Sequence, residues 1–145
     1  MMSSTIVVAH DGSDSAERAM AFAVDRAKAI GGSIIVAHVL EWSPYSFLTP
    51  AELEERHVRR KQELERAETA LLGPVLKAHA QSGVPVSSEI RYGHVTETLL
   101  KIAKDADAIQ IVIGRKGAGS FADRFFGSVA GSLVQTCPVP LTIVP

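Results

Sequence analysis

The chain is poor in the features that most often announce a chemistry. A single cysteine, Cys137, among 145 residues excludes an internal disulfide, and five scattered histidines show none of the paired spacings of a zinc site. Fifteen basic residues against sixteen acidic ones leave a net charge of -1. No global field is therefore available to hold nucleic acid or an anionic membrane surface, and any bound anion must be held locally. Long hydrophobic runs are missing as well. After Met1-Met2-Ser3-Ser4 the first apolar run lasts five residues before His10 and Asp11, too short for a signal segment or a bilayer span. Together these absences lead us to expect a cytoplasmic protein in a reducing compartment, with neither nucleic acid nor membrane as partner. No internal repeat or low-complexity stretch divides the chain, and 46% apolar composition suffices for one core, so residues 1–145 are expected to form one domain.

What is present is an alternation of β-branched runs and amphipathic segments. Thr5 to Ala9 reads as a strand and ends in the polar cluster Asp11-Gly12-Ser13-Asp14-Ser15, which can turn the chain and cap a helix. Ala16, Ala19, Met20, Ala23, Ala27 and Ile30 recur at helical spacing until Gly31-Gly32 stops them. Ser33 to Leu40 is a second strand, so the first three elements make a βαβ unit with parallel pairing. After an aromatic-rich segment with Trp42, Tyr45 and Phe47, expected to cover the core or a dimer surface, Thr49-Pro50-Ala51-Glu52 spells a capping box. The pattern then predicts one long helix to about Ser82, with Leu53, Val58, Leu64, Ala67, Leu71, Val75 and Ala78 on its buried side. Val84 to Tyr92 alternates like a more exposed third strand, Thr96 to Lys104 is helical, and Ala108 to Ile113 is a fourth strand. A helix over Ser128 to Thr136 and a short strand over Leu141 to Val144 complete the chain. The whole reads as an α/β protein with an open, doubly wound parallel sheet, in which ligands bind at the carboxyl ends of strands where strand order reverses.

The segment richest in chemistry runs from Gly114 through Arg115, Lys116 and Gly117 to Gly127-Ser128 at a helix start. Glycines let backbone amides approach a phosphate, and a helix N-terminus offers free donors and partial positive charge. The same glycines also serve as turn formers, and the residues alone leave both roles open. The segment is not a Walker loop, since no Gly-Lys-Ser/Thr closes it, nor a dinucleotide fingerprint, since its third glycine comes too late. Arg115, Lys116 and Arg124 either neutralise phosphates or are solvated loop charges. Ser13 and Ser128 have no sequence-evident histidine partner, which argues against a serine nucleophile, and Cys137 reads as a small packed hydrophobe.

Over its full length the chain resembles the universal stress protein family, in the branch that carries the ATP-binding signature Gly-x2-Gly-x9-Gly-(Ser/Thr). Gly114, Gly117, Gly127 and Ser128 match each position of that signature; Asp11-Gly12-Ser13 matches the first loop, His38-Val39 the end of the second strand, and Cys137-Pro138-Val139 the step before the last strand. The resemblance implies a Rossmann-like five-stranded sheet of order 3-2-1-4-5 and a homodimer formed partly through the last strand, a strand whose apolar edge needs a partner. It also implies ATP between the first and fourth strand ends. By that likeness Asp11 and the backbone of Val39 contact the adenine end, Gly114 and Gly117 line the ribose and phosphates, and Gly127 with Ser128 holds the phosphate tail. Mg2+ accompanies the triphosphate, held mainly by phosphate and water. His10 stands where the family more often has an aliphatic residue, and His94-Val95 replaces a more usual acidic residue and proline. His10 is either a satisfied histidine at a strand end or a group acting in base recognition or pH response, and Asp11 either caps the following helix or contacts the ligand. The resemblance implies a nucleotide-dependent regulatory module. A slow ATP-hydrolysing enzyme is the second reading, weakened because the first loop is not the Ser-Gly-Gly-x-Asp-Ser of ATP pyrophosphatases. A nucleotide-free interaction protein is the third, and the intact signature argues against it.

Overall fold

The computed structural model describes residues 4–41, 49–116 and 128–145. Strands β1 (Thr5–Ala9), β2 (Ser33–Glu41), β3 (Val86–Gly93), β4 (Gln110–Gly114) and β5 (Leu141–Val144) form one parallel sheet of order β3-β2-β1-β4-β5. This is the order the resemblance implied. β1 lies at the centre, paired with β2 on one side and β4 on the other, and its Ile6, Val7 and Val8 have no exposed surface. Successive strand residues point to opposite faces, which divides the core in two. Ile6, Val8, Ile34, Val36 and Val112 pack against helix α1 (Asp14–Ile30), Leu72 and Val75. Val7, Ala9, Ala37, Ile111 and Ile113 pack against α4 (Val95–Asp105) and α5 (Ser128–Thr136).

α1 forms where the alanine spacing predicts it. Ser13 caps its start, with Oγ accepting from the Ala16 amide at 3.1 Å, and Gly31 ends it in the left-handed conformation, φ 65°. The long helix expected from residue 49 to 82 is corrected: it is broken into α2 (Pro50–Arg66), a π-helical turn (Ala67–Leu72) and α3 (Gly73–Ala78). The cause is Pro74, which has no amide hydrogen and whose ring collides with the carbonyl four residues before it in an α-helix. The chain widens ahead of it, and the Gly73 amide donates to the Glu68 carbonyl, a five-residue step. The extra residue in that turn also shifts the buried side. Leu72, not Leu71, becomes fully buried, and Leu53, Val58 and Ala78 are exposed, while Ala67 and Val75 are buried as expected. The strands predicted at 84–92 and 108–113 begin two residues later than the pattern suggested. Trp42, Tyr45 and Phe47 lie outside the described residues. No helix among the described residues is long and apolar enough to cross a membrane.

Candidate functional site

Strand order reverses between β1 and β4, and there the chain leaves the sheet in opposite directions. The register aligns Ala9 with Ala37 on one side and Ile113 on the other. One residue further along stand His10, His38 and Gly114, the rim of the sheet's carboxyl edge. Between this edge and the helices α4 and α5 opens a cavity of about 410 Å³. Its floor is apolar: Ala9, Ala37 and Ile113 from the strands, Val95 and Leu99 from α4, Val129 and Ala130 from α5. Alanines on the two central strands leave the room that larger strand residues would fill. Asp11, Ser13, Glu41, Lys116 and Ser128 supply polar groups around it.

Four of the residues singled out in the sequence, Asp11, Val39, Gly114 and Ser128, line this cavity. β2 and β4, which carry Val39 and Gly114, converge on it because both pair with β1, the strand that leads into Asp11. Gly117 and Gly127, with Gly119 and Arg124, lie outside the described residues. Val39 comes from the exit of β2, and Ser128 is the first residue of α5, a nine-residue helix whose opening amides face no earlier turn of their own. Asp11 does not cap α1. Its Oδ1 accepts from the Ser13 amide at 3.0 Å, which folds the loop on itself, while Ser13 takes the cap.

Gly114 has a role that the sequence did not reveal. A Cβ at this position would come within 2.5 Å of Ser15 Oγ and 2.7 Å of the Ser15 carbonyl carbon. The missing side chain is thus required by the seat of α1 on the end of β4, whatever lies in the cavity. Ser15 is the buried hub of that seat. Its hydroxyl lies 3.3 Å from the Val144 carbonyl, to which it donates, and accepts from the Lys116 amide at the same distance. Arg115 donates its amide to Val144 at 2.7 Å, and Arg18 Nε donates to the Pro145 carbonyl at 2.8 Å. These bonds fix where the loop after β4 departs. The one sequence signal for Ser15 was a serine falling on the alanine face of α1.

His10 is buried, with 3% of its surface exposed. Its Nδ1 accepts from the Gly12 amide at 3.1 Å, and Nε2 lies 3.2 Å from Glu17 Oε1, close enough for electrostatic attraction but without hydrogen-bond alignment. Burial holds its pKa below the ordinary histidine value, against the opposing pull of Glu17 and Asp11. His38 Nδ1 donates to the His10 carbonyl at 2.7 Å, since a carbonyl can only accept. Among the described residues no group of three His, Cys, Asp or Glu is placed to hold a metal. Cys137 is half-buried against the core of the α4 and α5 side.

An apolar floor with a polar rim suits an amphipathic ligand that has a flat apolar part and an anionic part. Lys116 and the start of α5 supply the cationic side, Asp11 and Glu41 the acceptors. The model of the universal stress protein family matches residues 2–145. A universal stress protein of Thermus aquaticus is 36% identical over 144 residues, covering 99% of each chain. Among solved structures, universal stress protein UspA from Lactobacillus plantarum superposes with a TM-score of 0.84 at 25% identity, covering 100% of this chain and 99% of that one. A universal stress protein from Archaeoglobus fulgidus, in complex with dAMP, superposes with a TM-score of 0.69 at 24% identity, covering 100% of both chains.

Proposed function

Since the chain belongs to the universal stress protein family, we propose that it is a nucleotide-dependent regulatory module that holds ATP, with Mg2+, in the cavity at the carboxyl ends of β1, β2 and β4. The observation that carries this reading is the convergence of Asp11, Val39, Gly114 and Ser128 on one cavity of about 410 Å³ with an apolar floor. The adenine ring lies on that floor, with Asp11 and the Val39 backbone at its polar edge. Gly114 and Gly117 line the ribose and phosphates, and Gly127 with Ser128 holds the phosphate tail. The dAMP complex of the Archaeoglobus protein supports an adenylate as the ligand class.

Magnitudes favour a composite site. One anion contact at a helix start contributes about 0.3–1 kcal/mol, and micromolar affinity needs about 8 kcal/mol. The phosphates therefore need several donors, and the buried base must supply much of the rest. Lys116 and the α5 amides fit a phosphate chain. We assign no protein ligand to Mg2+, whose coordination comes from phosphate and water, and no residue to catalysis. The chain acts as a homodimer in the cytoplasm, joined through β5, which stands at the edge of the sheet with all four residues half-buried. Purified protein should bind Mg-ATP with micromolar affinity in a calorimetric titration and run as a dimer in native mass spectrometry. Absence of binding at millimolar Mg-ATP would sink the nucleotide reading.

A further inference from the structure

His10 joins two parts of the molecule that the cavity needs in register, the exit of β1 and the loop Asp11-Gly12-Ser13. Three observations bear on what it does there. Gly12 has φ 86°, a left-handed conformation natural to glycine, and this turn brings its amide back onto His10 Nδ1 at 3.1 Å. The same loop carries Asp11 and Ser13 into the lining of the cavity. On its other side Gly12 faces Leu71 of the π-helical turn, whose side chain would lie 3.4 Å from a Cβ at position 12, so the loop is bounded on that flank.

An amide can only donate, so Nδ1 must carry a lone pair and the ring proton sits on Nε2, facing Glu17. That tautomer rules out Nε2 as a metal ligand. It also makes the loop's hydrogen bond conditional. A second proton on the ring goes to Nδ1, where it meets the Gly12 N–H head-on, and the bond is replaced by repulsion.

Resting on the adenylate reading of the cavity, we propose that His10 is the positioning residue of the first loop: it holds Asp11 and Ser13 in place only while its ring is neutral, so that nucleotide affinity weakens on acidification. The groups facing the ring are Glu17 from α1, Asp11 from the loop itself and His38 from β2; Glu63 and Arg66 from α2 line the second hollow that His10, Glu17 and His38 also border. Glu17 and Asp11 favour the protonated ring, whereas burial and His38 disfavour it, and burial is the largest of these influences. The neutral form is accordingly the one present at neutral pH, and the loop loosens as pH falls below the ordinary histidine range.

The test uses the full chain labelled with 15N, followed from about pH 8 to about pH 5, the span in which histidine changes charge. Three proteins are compared: the wild type, His10→Asn, whose Oδ1 accepts from the Gly12 amide at every pH, and His10→Val, which has no acceptor. The expected spectra show an unprotonated Nδ1 at the upper pH and Gly12 and Ser13 amides that move with the His10 titration. Wild-type affinity for Mg-ATP falls by roughly tenfold across the range, equivalent to one unit of pKa difference between free and bound forms. His10→Asn keeps the high-pH affinity and loses most of that slope, and His10→Val binds weakly throughout. A protonated Nδ1 at the upper pH, or loop amides indifferent to the His10 titration, would overturn the inference without reference to any nucleotide. Equal slopes in wild type and His10→Asn would overturn it too. Loop amides that follow His10 in a protein that binds no nucleotide would instead uphold His10 as the loop's positioning residue and sink the adenylate reading.

Discussion

α1 and α2 are the same length, seventeen residues, and each starts on a side-chain cap, Ser13 accepting from Ala16 and Thr49 accepting from Glu52. α1 buries seven side chains and α2 none. The difference lies in what each helix can present. Four alanines on one stripe of α1 let its axis approach the sheet closely enough for Ser15 to touch Gly114. In α2 the apolar residues Leu53 and Val58 are five positions apart, which sets them about 140° apart around the helix, so they form no shared stripe. α2 is tied to the fold at its later turns, where the Tyr92 hydroxyl donates to the Arg60 carbonyl and the Arg60 guanidinium stands 5.4 Å from the Tyr92 ring centre. A cap and a period specify that a helix forms; the shape of its apolar face decides whether it becomes part of the core.

The largest effect is expected at the centre of the α1 face. Met20 has no exposed surface, and Met20→Ala leaves a cavity under α1. The loss should be about 2–5 kcal/mol in urea unfolding. A cost below about 1 kcal/mol would mean that α1 collapses onto the sheet readily and is less firmly seated than its burial implies.

Gly114→Ala comes next and addresses the seat itself. The added methyl meets backbone as well as the Ser15 hydroxyl, so α1 must shift, at a cost of about 1–3 kcal/mol. Combining it with Ser15→Ala should not restore stability, because the Ser15 Cβ, at 2.8 Å, and its carbonyl carbon remain in the way. Full rescue by Ser15→Ala would show that the hydroxyl alone set the fit.

The caps separate the helices more finely. Ser13→Ala should cost about 1 kcal/mol of global stability, since the first turn of α1 is locked to β4 and β5. Thr49→Ala removes a similar bond but from a turn with no buried residue. Its loss should appear as faster amide exchange at residues 50–55, with global unfolding changed by less than about 0.5 kcal/mol. Equal global costs at both caps would place α2 within the cooperative unit.

Most of the fold was legible because its signals are local. The β-branched runs, the alanine stripe and the glycine stop gave β1, β2, α1 and the order of elements, and the motif match supplied the strand order. Leu72 takes the buried place expected of Leu71 because a constant 3.6-residue period does not hold across Ala67–Leu72, where the π turn ahead of Pro74 inserts a residue. Of the candidate site the sequence marked the loops that supply it: Asp11, Val39, Gly114 and Ser128 line one cavity, while Gly117 and Gly127 lie outside the described residues. The apolar floor residues Val95, Leu99 and Val129 were not marked, since each is an ordinary apolar helix position whose relation to the cavity exists only after the helices cross the sheet, and the same holds for the contact of Ser15 with β4 and β5. At Gly114 the missing side chain is required by Ser15 of the neighbouring helix, and a sequence cannot tell that requirement from one set by a ligand.

The smallest effect is expected at Leu53. Its side chain is 52% exposed, so Leu53→Ala removes little buried surface and replaces leucine with a better helix former. Global stability should change by less than about 0.5 kcal/mol in either direction, measured by urea unfolding at low protein concentration. This result would leave α2 as a solvated helix held only at its later turns. A loss of about 2 kcal/mol or more would mean that Leu53 is covered in the working protein. Repeating the measurement at higher protein concentration then identifies the cover: a cost that grows with concentration indicates a second copy of the chain, and a constant one indicates contacts within the chain itself.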